Sequence, residues 1–111
     1  MGDRAMAEII TGEGSLYVYT HWGGSELPEN AKEAIRFAQN RWDDTPYAIR
    51  ILVDQLTKGG RDLETGYGLM LVPDAEDEYN SDKPSVIIDL VGKKLIVLRD
   101  GEEKTSSFQE V

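Results

Sequence analysis

Residues 7–21, AEIITGEGSLYVYTH, hold two short runs of β-branched and aromatic side chains on either side of a Gly-Glu-Gly group. This pattern predicts an N-terminal β-hairpin closed by a three-residue or bulged loop. Alternation along its second strand puts Leu16, Val18 and Thr20 on one face and Tyr17, Tyr19 and His21 on the other. After Gly23-Gly24 the apolar period lengthens: Leu27, Ala31, Ala34, Ile35, Ala38 and Trp42 recur at helical spacing, and Pro28 suits a first helical turn. The segment DDTPY interrupts that helix and restarts another, with Thr45 as N-cap, Pro46 at the first position and Asp43 and Asp44 facing the positive helix end. Ile49, Leu52, Val53 and Leu56 form the apolar stripe of the second helix, and Gly59-Gly60 ends it.

GYGLMLVP, residues 66–73, reads as a third strand whose glycines mark a bulge or the close approach of another backbone. A hairpin follows in PSVIIDLVGKKLIVLRDGEEK, with Gly92-Lys93 as a two-residue type II′ turn. It puts Val86, Ile88, Leu90, Leu95 and Val97 on one face and Ile87, Asp89, Val91, Lys94, Ile96 and Leu98 on the other. SSFQEV is a short edge strand or a single helical turn anchored by Phe108. The predicted fold is α+β in the order ββααβββ: an antiparallel sheet of about five strands with two short helices packed on one face. That leaves the other face bare. Tyr17, Tyr19, Ile87, Ile96 and Leu98 are expected to gather there as an apolar patch covered by a second copy, a partner protein, a ligand or the C-terminal tail.

The 111 residues fit one domain, 1–111, within which 1–6 are expected to be an added or unstructured start ahead of Met6. Forty per cent hydrophobic and 30% charged residues place the chain among globular proteins rather than disordered ones. No cysteine is present, which removes disulfides, thiolate chemistry and Cys-ligated zinc and suits a cytoplasmic setting. No apolar run is long enough for a membrane span, and no signal peptide is read. A net charge of −9 argues against direct nucleic-acid binding, which needs cations to release counterions from phosphates. It suits partners with basic surfaces instead.

Several groups invite chemistry. His21, Trp22, Gly23 and Gly24 form a strand-to-helix turn whose N–H groups could meet an anion, yet the segment matches neither phosphate-loop pattern and Glu26 and Glu29 would repel the ligand. A plain connection with Trp22 packed beneath the first helix is the simpler expectation. His21 is the chain's only histidine, so a histidine base must be this one. Ser25 and Thr20 are its neighbouring hydroxyls, but no nucleophile elbow is present, and a structural or partner-facing role is expected. Arg41, Trp42, Tyr47 and Arg50 crowd the helix–helix corner, where arginines can hold an anionic, nucleotide-like ligand while a ring stacks on it; a capped turn with local Arg–Asp pairs explains the same residues. The loop from Asp74 to Asp82, including Glu76, Asp77 and Glu78, lacks the EF-hand pattern and reads as a solvated loop or an acidic interface. Asp89 either pairs with Lys94 across the hairpin or joins a polar site with His21 or Arg50.

LYVYTHWGGSELP, RWDDTPYAIRI and GYGL, taken in order, resemble a family of small uncharacterised phage and prophage proteins over residues 9–98. The shared shape is an aromatic strand ending in Thr-His-Trp-Gly-Gly, a helix, a Trp-Asp-Asp corner, a second helix and a Gly-rich strand. The resemblance carries no assigned activity; what it implies is a setting in which small acidic proteins act by binding. The expectation is therefore a non-enzymatic, homodimeric regulatory protein that acts through a protein surface and counters host machinery, with no cofactor and no metal. A small-ligand sequestering protein is the alternative, and a hydrolase using His21 and an aspartate is the third reading.

Overall fold

The computed structural model describes residues 4–71, 84–99 and 101–111. Among these residues six strands form one sheet: β1 (Ala5–Thr11), β2 (Gly14–Thr20), β3 (Tyr67–Met70), β4 (Val86–Asp89), β5 (Lys94–Arg99) and β6 (Glu102–Ser107). Between β2 and β3 lie helices α1 (Leu27–Phe37) and α2 (Thr45–Thr57), so the chain order is ββααββββ. The fold is α+β, as expected, but the sheet is mixed and has one strand more than the sequence suggests. Its order is β3-β2-β1-β4-β5-β6, and the central pair β1 and β4 runs parallel. Alternation looks the same in parallel and antiparallel strands, so the local pattern carries no sign of this pairing.

Both helices cover the face that carries Ala7, Ile9, Val18, Val86, Ile88 and Leu95. Against it α1 lays Leu27, Ala31, Ala34, Ile35 and Ala38, and α2 lays Ala48, Leu52 and Leu56. Small alanines on both helices let the backbones approach each other and the sheet, while Ile9, Ile35, Leu52 and Ile88 fill the space between. Trp42 closes the end of this layer: its Nε1–H donates to the Ile35 carbonyl at 2.9 Å and its ring lies 5.0 Å from that of Phe108. The predicted anchor role of Phe108 is met in a 3-10 turn, Phe108–Glu110, capped reciprocally by Ser107 and Glu110.

Several local expectations are corrected. The first hairpin pairs Thr11 with Gly14, so Gly12 and Glu13 alone make the turn; the Thr11 hydroxyl accepts from Glu13 N–H at 3.1 Å and donates to the Gly14 carbonyl at 2.8 Å. Helix α2 takes Asp44 rather than Thr45 as its N-cap residue, one position earlier. Asp89 pairs with Lys94, which leaves a four-residue loop, Leu90 to Lys93, in place of the Gly92-Lys93 turn. In that loop Lys93 has φ 55° and the Asp89 carboxylate accepts from the N–H groups of Val91 and Gly92, both at 2.9 Å. Asp89 is therefore a turn-forming residue and lies in no site with His21 or Arg50. The segment ahead of Phe108 is a full strand, β6, paired with β5 from Lys94↔Ser107 to Arg99↔Glu102. Its Glu-Glu-Lys composition hides it, although Asp100-Gly101 just before it is a strong hairpin signal. Strand β1 begins at Ala5 and Met6 is buried, so these two of residues 1–6 belong to the sheet.

Candidate functional site

The face of the sheet away from the helices presents Tyr17 and Tyr19 from β2, Glu8 and Ile10 from β1, Ile87 from β4, and Ile96 and Leu98 from β5. The expected companions therefore do share one face. Within it, Glu8 accepts from the Ser15 hydroxyl at 2.7 Å and from the Tyr17 phenol at 3.2 Å, a polar island among half-buried apolar side chains. Burial holds the Tyr17 phenol above its ordinary pKa, and the nearby Glu8 carboxylate adds to the rise by opposing a second negative charge.

At the margin of this face, where β2 meets β3, lies a cleft of about 460 Å³ lined by Tyr19, His21, Trp22, Gly66, Gly68 and Met70, among others. Its shape follows from two glycines on the edge strand side. Gly68 pairs with Tyr19, and a Cβ there would reach only 4.0 Å from the tyrosine ring, so glycine leaves a trough beside that ring. Gly66 has φ 105°, a conformation natural to glycine, and its carbonyl accepts from His21 N–H at 2.9 Å. This bond extends the β2–β3 ladder by one residue pair and holds His21 at the mouth of the cleft.

The aromatic side chains form a connected row. The Tyr19 phenol sits 2.8 Å from His21 Nδ1, and the His21 and Trp22 rings meet edge to face at 4.3 Å between centroids. Tyr19 is buried, His21 half-buried and Trp22 64% exposed. Trp22 is therefore not packed beneath α1, as the simpler sequence reading expects; it stands at the cleft, 3.8 Å from where a Cβ on Gly66 would lie. Gly23 serves the turn: its N–H donates to Thr20 Oγ1 at 3.0 Å, and the following Gly24 opens a 3-10 turn that leads into α1.

The second part of the predicted ligand set lies elsewhere. Arg41, Trp42 and Tyr47 occupy the end of the molecule where Asp43 meets Lys93 of the β4–β5 loop at 3.1 Å, whereas His21 follows the opposite end of β2. There Arg41 sits 5.3 Å over the Tyr47 ring and 4.0 Å from Asp44, and Arg50 is exposed on α2. The structure thus brings together His21, Trp22, Gly23 and Gly24 but separates them from both arginines. An anionic ligand at His21 loses the cations that reading assigned to it. Asp74, Glu76, Asp77 and Glu78 lie outside the described residues.

A second groove of about 640 Å³ runs between α1 and strands β5 and β6. The sequence reading missed it because its Lys32, Arg36, Arg99 and Lys104 come from distant segments. Glu29, Glu102 and Glu110 line it as well, so opposite charges offset one another. Among the described residues no group of three or more His, Asp or Glu side chains is placed to hold a metal ion, and no helix is long and apolar enough to cross a membrane.

The Tyr19–His21–Trp22 cleft combines an apolar trough with two polar groups already bonded to each other. That arrangement suits recognition of an apolar or aromatic side chain. Glu64 lines the cleft as well, but the partner of His21 Nδ1 is the Tyr19 phenol, where a catalytic triad would place a carboxylate. Comparison with known proteins finds no matching family model, no matching curated protein and no matching solved structure, so the meaning of this site rests on its geometry.

Proposed function

We infer that this chain is a non-enzymatic binding protein that acts through a protein–protein surface, made by the open sheet face and the aromatic cleft at its margin. One observation carries the reading: Trp22 stands 64% exposed beside the cleft while the interior aromatic Phe108 is 3% exposed. An indole held in water by a backbone turn, next to a trough, is the arrangement of an interface anchor, because burying it on association releases much apolar surface. The open face of Tyr17, Ile87, Ile96 and Leu98 continues from the cleft and supplies area of the same character. The inferred setting, from the resemblance of residues 9–98 to phage and prophage proteins, is the cytoplasm of a host cell whose machinery the protein obstructs.

The cleft also supports the second reading, a small ligand, though of different chemistry from the one the sequence suggested. Arg41 and Arg50 do not line it, so a neutral aromatic molecule fits better than a nucleotide. Native mass spectrometry of the gently purified protein, followed by affinity capture with the wild-type chain and with Trp22→Ser, separates the two. A protein held by the wild type and lost with Trp22→Ser is the expected result. A bound small molecule, released on denaturation and absent from the Trp22→Ser variant, would replace the protein-surface reading with the ligand one.

A further inference from the structure

The two edges of the sheet differ in kind. Strand β6 ends the sheet with Glu102, Glu103 and Lys104, and charged side chains of this sort keep an edge from pairing with another chain. Strand β3 ends it on the other side, and no charge occurs from Gly66 to Leu71 in a chain whose net charge is −9. Beside this edge Leu63, Leu69 and Leu71 are 68%, 53% and 76% exposed. Among the described residues no strand lies beyond it.

The polar groups of that edge are oriented by the ladder. His21 N–H donates to the Gly66 carbonyl, so Gly66, Gly68 and Met70 are the residues bonded inward to β2. Antiparallel alternation then turns the N–H and C=O of Tyr67 and Leu69 outward. We propose that this edge binds a second copy of the chain, β3 against β3 in antiparallel register, with Leu69 facing Leu69 of the other copy across a two-fold axis.

Three features select a second copy and this register. Pairing about a dyad brings each residue near its own symmetry mate, so any charge at the centre would repel itself; GYGLML carries none. Residues opposite each other must point to the same side of the joined sheet, which requires the dyad to pass through one residue rather than between two. At Leu69 that residue has its N–H and C=O turned outward, so the two copies exchange both bonds at the axis. The same register places Met70 of each copy opposite Gly68 of the other, where glycine leaves room for it. Gly68 lines the aromatic cleft, so Met70 of the second copy would lean over the trough beside Tyr19 and complete its wall. Tyr67 falls opposite Leu71, covering the most exposed leucine. The joined sheet would present two open faces as one continuous surface.

The chain lacks cysteine, so Leu69→Cys places a single thiol at the proposed dyad. Hydrogen-bonded antiparallel partners have Cα atoms about 5.5 Å apart, within the range a disulfide spans. Mild oxidation should convert most of Leu69→Cys to a covalent dimer, while Thr105→Cys on the opposite edge stays monomeric under the same conditions. Sedimentation of the cysteine-free protein should give twice the 12.4 kDa chain mass, and Leu69→Lys, at a half-exposed position that leaves the core intact, should return it to that mass with an unchanged circular dichroism spectrum. A wild-type chain that sediments as a monomer at about 100 µM, well above usual dimer constants, overturns the proposal. So does a dimer that survives Leu69→Lys and dissociates with Ile96→Lys, which would place the contact on the open face. Both readouts use the isolated chain, so they stand apart from the capture of any other partner.

Discussion

The Tyr19 phenol oxygen lies 2.8 Å from Nδ1 of His21, two residues further along the same strand face. Alternate residues of a strand project to one side, so this contact follows from β2 continuing straight through Thr20 into the His21–Gly66 bond. It decides which imidazole nitrogen faces the cleft. The bond couples the two groups: a phenol that donates to Nδ1 goes with a neutral ring protonated on Nε2, a phenol that accepts goes with Nδ1–H, and either way one tautomer is selected. In Tyr19→Phe that preference disappears, and long-range ¹⁵N–¹H correlation of the His21 ring should show a mixture of tautomers. The fold should survive with a loss of about 1 kcal/mol, the usual worth of such a bond. An unchanged tautomer in the variant would mean that something other than Tyr19 orients the ring.

The two glycines of contrasting surroundings should respond oppositely to alanine. A Cβ on Gly92 would sit 2.9 Å from Asp89 Oδ2, and that carboxylate is held by the N–H groups of Val91 and Gly92. Moving it weakens the loop, so Gly92→Ala should cost about 1–2 kcal/mol in urea unfolding. A Cβ on Gly68 meets nothing closer than 4.0 Å. Gly68→Ala should leave stability equal or slightly raised, since alanine also narrows the unfolded ensemble, yet it partly fills the trough and should weaken binding there.

Core substitutions should show where the helices grip the sheet. Leu52 and Ile35 are 1% and 0% exposed and sit in the same cluster as Ile9 and Ile88. Leu52→Ala should cost about 2–5 kcal/mol, the range for large-to-small changes in a packed interior. Such a loss could unfold a chain of this size at 37 °C. Val53→Ala, on the same helix but only half-buried, should cost clearly less.

Stability should fall at high pH through Tyr17. Its folded-state pKa is raised, first by burial and then by Glu8, so the native chain keeps a proton that the unfolded chain releases at about 10. The stabilising contribution is complete below that value and is lost as pH rises towards the folded pKa. Removing the carboxylate in Glu8→Gln should bring the Tyr17 titration down, as read from its ring ¹³Cζ shift. No movement would leave burial as the whole cause.

The C-terminal turn should show the reverse sign. Glu110 is held below the ordinary carboxylate range chiefly because it accepts from Ser107 N–H at 2.8 Å. Its contribution is present above the unfolded-state pKa and disappears as pH falls through the lower folded value. Blocking that bond with Ser107→Pro should return the Glu110 titration, followed by carboxyl ¹³C shifts, to the usual range.

What the amino-acid sequence determined by itself was local: where apolar side chains recur, and with what period. Leu27, Ala31, Ala34 and Ile35 had to share a helix face, and Val86, Ile88, Leu95 and Val97 a sheet face. The last of these survived an incorrect turn because the expected and observed registers of β4 and β5 differ by two residues, and a shift of two leaves every side chain on its own side. One wall of the cleft was legible to the same extent, because Tyr19, His21 and Trp22 are close in the chain and one strand end and its turn hold them together; the wall from Glu64 to Met70 was not. Tertiary structure alone decided the rest. Parallel pairing of β1 with β4, the choice of β3 as an uncharged edge, and the separation of Arg41 and Arg50 from His21 all depend on segments dozens of residues apart. No local period encodes such distances, because they are set by which faces the helices must bury and by which strands remain to pair once they have done so.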